Sequence, residues 1–176
     1  MNTLPPVGSI GLVSVRGFTG WLIRLGQWVD GDGTRNYEHA FVLVAGDEPE
    51  SARVVEAEPG GVVEVPLSRY RGRKVLWLRC PREYSDPVAT AALAYIGFEY
   101  SIEDYFAIAA QRMDITPIAA ALRQSVDHRG HVMCSQMAYA AAVRGGWLRC
   151  RLWPGYVTPA RLAELAPADA RPRLIE

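Results

Sequence analysis

Cysteine is scarce in this chain: three residues in 176, with no C-x-x-C pair. That odd, scattered set argues against a disulfide framework and against a cysteine-rich zinc site. Nor is there an excess of either charge. Nineteen Lys+Arg balance nineteen Asp+Glu, so the basic footprint that nucleic acid demands is missing. No apolar run approaches the roughly 18 uncharged residues of a membrane span. The opening Met-Asn-Thr-Leu-Pro-Pro has no cationic segment followed by an apolar one, so no signal peptide is evident and a cytoplasmic location is the default expectation. No G-x-S-x-G elbow supports a serine hydrolase. What remains is an ordinary globular composition, 49% hydrophobic and 22% charged. The length suits one domain over 1–176, with the proline-containing stretch 166–176 read as a loose tail.

The first half reads as antiparallel sheet. Pro6 to Val15 is apolar and bounded by Pro and Gly, a first strand. Thr19 caps a predicted helix over Gly20–Trp28, with Trp21, Leu25 and Trp28 on one face. Asp30-Gly31-Asp32-Gly33-Thr34 has the start of a calcium loop, but Phe41 stands where the bidentate Glu is required, so calcium is discounted. Tyr37–Val44 is apolar in both alternating sets from His39 on, which predicts a strand buried on both faces. Arg53–Ala57, Val62–Pro66 and Lys74–Cys80 continue the meander.

The second half reads as helical. Asp86-Pro87 is an N-cap followed by proline, opening a helix to about Ile96. Ser101-Ile102-Glu103-Asp104 resembles a capping box and leads a helix through Ala110. Thr116-Pro117 opens another through Leu122, and Thr158-Pro159 a short last one through Leu165. Between these lies His131 to Gly146, a helix with Cys134 on its first turn, a small-residue face at Ala138, Ala141 and Ala142, and Gly145 as its stop.

A thiol at a helix N-terminus sits among N–H groups without intrahelical partners, at the positive end of the dipole, which favours thiolate. The competing reading is a small buried hydrophobe, which is how Cys80 and Cys150 read. A thiol nucleophile needs a base, and the base an orienter. His39 opens the second strand, and the hairpin returns either Glu56 or Glu58 beside it, depending on register. Glu56 lies inside its strand among Val54, Val55 and Ala57, and Glu58 lies in the turn, so Glu56 is favoured. The candidate catalytic set is Cys134, His39 and Glu56. A metal site from His128, His131 and Cys134, with Asp127 adjacent, is weaker, because Gly130 interrupts any helical face and no fourth ligand lies near. No cofactor is implied.

These pieces together resemble the permuted papain-like proteins of the NlpC/P60 superfamily, in the YiiX/YebB-like branch. The matching stretches are Gly8–Val13, Tyr37-Glu38-His39-Ala40, Val55–Val62, Cys134-Ser135-Gln136-Met137 and Val157–Leu162, in that order. Papain-type enzymes carry the cysteine helix first and the histidine strand later; here the order is reversed, as circular permutation gives. The resemblance implies an α+β fold, its N-terminal antiparallel sheet packed against C-terminal helices. It also implies a cysteine peptidase or amidase with Cys134 as nucleophile, His39 as base and Glu56 as third member, acting on peptide-type amides such as cell-wall peptides. Thiol-dependent acyl transfer or lipid-acyl hydrolysis on the same fold is the runner-up, and a non-catalytic peptide- or lipid-binding module is the third reading. Gln136 departs from the family pattern, where an acid is common, and Phe98–Gly130 matches no motif. Gln124 and His128, just upstream of the cysteine, are candidates for a second oxyanion donor.

Overall fold

The structure, a computed structural model, describes residues 4–14, 37–100, 131–149, 157–166 and 171–175. The helices expected at 20–28, 101–110 and 116–122, the 30–34 loop, and Cys150, Gln124, Asp127 and His128 lie outside them. The described chain is α+β. Strands β1 (Ile10–Val13), β2 (His39–Ala45), β3 (Arg53–Glu58), β4 (Gly61–Pro66), β5 (Lys74–Leu78) and β8 (Arg173–Leu174) form one antiparallel sheet in the order β4-β3-β2-β1-β5-β8. Two short strands, β6 (Glu99–Tyr100) and β7 (His131–Val132), pair in parallel. The described helices are α1 (Ser85–Leu93), α2 (Cys134–Arg144) and α3 (Pro159–Ala163), with 3-10 turns at Leu67–Tyr70 and Arg82–Tyr84. None of them is long and apolar enough to cross a membrane.

The central strands bury both faces, as their doubly apolar pattern requires. On one face Ile10, Leu12, Ala40, Val42, Val55 and Leu76 meet α1 and α2. On the other, Val13, Phe41, Leu43, Val54 and Trp77 meet Leu67 and Tyr70 of the 3-10 turn, with Ile175. Gly11 of β1 sits opposite Phe41, whose ring lies over it so closely that a Cβ there would come within 2.3 Å.

Helix α2 owes its close seat to small residues. Ala138, Ala141 and Ala142 are fully buried. Gly145 presses on α1: a Cβ there would stand 2.7 Å from the backbone N of Val88. The stop falls where expected, with the helix ending at Arg144 and Gly145 as its C-cap. Gly145 keeps helical angles, while Gly146 takes φ +80°. Trp147 N–H then reaches Ala142 O, and Gly146 N–H reaches Val143 O, both at 3.0 Å, a Schellman closure.

Several boundaries differ from the sequence reading, among them β1, which is confined to Ile10–Val13, and the last helix, which ends at Ala163. Residues 131–132 are strand, not helix, because Glu99–Tyr100 offers them a ladder; the helix begins at Cys134. Helix α1 starts at Ser85, fed by the preceding 3-10 turn with Tyr84 as its N-cap, and Asp86 lies inside the first turn. Pro87 is tolerated there because the first-turn N–H groups have no intrahelical partner. The helix ends at Leu93, not near Ile96, and a turn carries the chain to Gly97. The tail is not loose over its described part: Arg173–Leu174 pairs with β5 and Ile175 is 3% exposed. Edge pairing and one buried isoleucine outweigh the disordering effect of nearby prolines.

Candidate active site

Three elements converge on one end of the sheet. His39 is the first residue of β2, Glu56 lies within β3, and Cys134 is the first residue of α2. The hairpin register pairs Phe41 with Glu56. Continued past Phe41, it sets His39 opposite Glu58, not Glu56. Yet the imidazole bonds Glu56, two residues along the same face, with Nε2 2.6 Å from Oε2. A diagonal pair of this kind is within reach of long side chains. Glu58 is drawn away by Arg69, at 2.8 Å, and stays one-third exposed. Glu56 is buried, and His39 keeps only a narrow opening, 15% of its side chain.

Since Glu56 accepts at Nε2, that nitrogen carries the proton and Nδ1 is left for the thiol. Cys134 and His39 share a side-chain hydrogen bond. The sulfur also accepts from the backbone N–H groups of Ala40 and Ser135. Gln136 serves the helix locally. Its Oε1 accepts the Met133 N–H at 3.0 Å, fixing the helix start. Ser135 Oγ donates to Val157 O at 2.6 Å, pinning the same turn to the segment ahead of α3.

The electrostatics follow from burial opposed by contacts. Burial alone pushes the Cys134 thiol up, but the adjacent imidazolium, its hydrogen bond and the two backbone N–H groups hold it below the ordinary thiol range. Burial alone pulls His39 down, and the neighbouring thiolate and Glu56 carry it well above 6.5. Burial raises Glu56, and His39, Tyr70 and Arg69 together bring it below the usual carboxylate range. Each of Cys134 and His39 thus favours the other's charged form, with the Glu56 carboxylate behind the imidazole. Cys80, by contrast, is pushed up to about 11 by burial and lines the core, as its sequence setting suggests.

Two residues of this constellation were not legible in the sequence. Arg69 Nη1 donates to Glu56 Oε1 at 2.9 Å, and the Tyr70 hydroxyl donates to Oε2. Both belong to the 3-10 turn after β4. The one available signal was the pattern break at Pro66, followed by apolar Leu67 and Tyr70 three apart, the repeat of a 3-10 turn with one buried face. Among the described residues no cluster of His, Cys, Asp and Glu has the makings of a metal site. No protein-family model, no curated protein and no solved structure matches the chain.

Proposed function

We propose that this chain is a thiol-dependent hydrolase that cleaves an amide bond through an acyl-enzyme, on a circularly permuted papain-like fold of the NlpC/P60 type. The observation that carries the proposal is the buried Cys134–His39–Glu56 series, in which each group touches the next. A core cysteine needs none of this: neither an imidazole on its sulfur, nor a carboxylate behind that imidazole, nor two N–H groups aimed at it. Such an arrangement costs desolvation of three titratable groups, and a nucleophile is the role that uses it.

In the proposed cycle the Cys134 thiolate attacks the carbonyl carbon. The Cys134 N–H, at the first helical position and without an intrahelical acceptor, helps hold the oxyanion. The His39 imidazolium gives its proton to the departing amine. Neutral His39 then takes a proton from the water that attacks the thioester, the acid is released, and the thiolate–imidazolium pair is restored. Glu56 stays ionised throughout, keeping Nε2 protonated and the ring in one orientation. Peptide-type amides, cell-wall peptides among them, are the substrate class.

The test uses iodoacetamide and a panel of peptidoglycan fragments, isopeptides and acyl esters. Wild type is expected to be alkylated at Cys134 at pH values where an ordinary thiol is protonated, and to turn over at least one amide of the panel. Cys134→Ala is expected to lose both. Equal labelling of the variant, or a Cys134 that reacts only in the ordinary thiol range, overturns the proposal.

A further inference from the structure

The proposed cycle asks one thing of Glu56, a bond to His39 Nε2, yet its carboxylate receives donors from three side chains. Arg69 holds Oε1. The Tyr70 hydroxyl shares Oε2 with the imidazole. Tyr70 is itself fixed: it is 7% exposed, its ring stacks on Phe41 with centroids 4.6 Å apart, and Phe41 lies over Gly11. The same tyrosine ring stands 6.3 Å from that of His39, nearly parallel to it. Arg69 is anchored at its other nitrogen by Glu58. From β4, the neighbours on this face are Val63 and Val65, which carry no charge. Among the described residues, the charged and titratable groups around Glu56 are therefore His39 from β2, with Cys134 of α2 behind it, Arg69 and Tyr70 from the turn, and Glu58 on its own strand.

We propose that Arg69 and Tyr70 are positioning residues of the Cys134 site: together they lock the Glu56 carboxylate, and Tyr70 tempers its hold on the imidazolium. The inference rests on reading Cys134 and His39 as nucleophile and base. A buried carboxylate with no other donor would grip the imidazolium and oppose delivery of its proton to the leaving group. A neutral hydroxyl on the same oxygen withdraws part of that basicity without removing the charge. Burial and the adjacent carboxylate push the Tyr70 phenol far above its ordinary value, so it remains a donor. Arg69 on the opposite oxygen stops the carboxylate from turning.

The experiment follows the His39 ring by proton–nitrogen NMR across pH, with iodoacetamide labelling of Cys134 in parallel, on the full chain. Three histidines make the assignment tractable, with His39→Gln as the reference. Tyr70→Phe keeps the stack and removes the hydroxyl. Its His39 ring is expected to lose its proton about 0.5–1 pH unit higher than in wild type, a fraction of one charge-assisted hydrogen bond passed on to the ring. Arg69→Met, at a half-exposed position, is expected to shift the titration upward as well. A folded Tyr70→Phe whose His39 titration is unmoved, or moves down, overturns the inference. Should that variant not fold, an unmoved titration in Arg69→Met overturns it instead. A tyrosine that merely packs would alter the unfolding midpoint and leave the histidine where it was. Failure of the hydrolase reading shows separately, as a wild-type Cys134 without low-pH alkylation.

Discussion

Glu56 is where burial and charge compete most directly at the scale of one residue. Its carboxyl is held below the ordinary 4.5 by His39, Tyr70 and Arg69, against the pull of burial. A carboxylate depressed in the folded state stabilises the fold fully above its unfolded value, and that stability drains away as pH falls through the folded value. Urea titrations of wild type should therefore lose stability as pH drops below about 4.5. Glu56→Gln removes the ionisation and leaves donors short of an acceptor. It is expected to cost about 1–3 kcal/mol at neutral pH and to show a shallower acid decline. Parallel curves for the two proteins would sink this account. A second readout is chemical: a Gln oxygen can still accept from the ring but carries no charge to support the imidazolium, and the low-pH alkylation proposed for Cys134 should weaken.

Helix α2 shows what close approach requires of an element. Its alanine face and Gly145 seat it against β2, β3 and α1, so that Cys134 reaches the end of the sheet where His39 begins. Two side-chain bonds then fix its first turn, Gln136 to Met133 N–H and Ser135 to Val157 O. At the other end the two glycines divide the labour. Gly146 adopts the left-handed angle that closes the helix, and Gly145 lets α1 approach. Gly145→Ala is therefore expected to force the two helices apart and cost about 1–3 kcal/mol. For a chain of this length that is a fall in melting temperature of roughly 2–12 °C. Gly60→Ala offers the contrast: its Cβ would meet no atom within 4 Å, so only backbone strain at φ +114° is at stake. Scanning calorimetry of the two variants checks the assignment, and an undisturbed midpoint in Gly145→Ala would refute it.

For the whole molecule, legibility followed the range of the interaction. Strands β2 to β5 were readable because alternation and turn residues are local signals, and both-sided burial of β2 follows from its doubly apolar pattern. Cys134, His39 and Glu56 were also readable, as a helix-start thiol and a hairpin pair, and the structure brings the three together. The register was not, since either choice keeps the same face toward the same neighbours; only Arg69, drawing Glu58 aside, decides which carboxylate the imidazole meets. Arg69 and Tyr70 escaped notice because nothing local in the sequence ties the turn after β4 to a carboxylate on β3. The small ladder of β6 and β7, and the pairing of Arg173–Leu174 with β5, escaped for the same reason: each needs a partner more than thirty residues distant.

That small ladder has a consequence for how the molecule can be re-engineered. Gly97 and Phe98 bond the start of β4 through Val62, and the next two residues run alongside His131 and Val132, directly ahead of Cys134. The chain thus departs and returns at adjoining points on the same scaffold, as at the two jaws of a socket. Parallel neighbours need a crossover of about a dozen residues or more, and thirty residues of sequence separate Tyr100 from His131. Replacing residues 101–130 with a glycine–serine crossover of about a dozen residues should keep the low-pH alkylation proposed for Cys134. A graft that silences the thiol itself would mean the socket depends on its cargo.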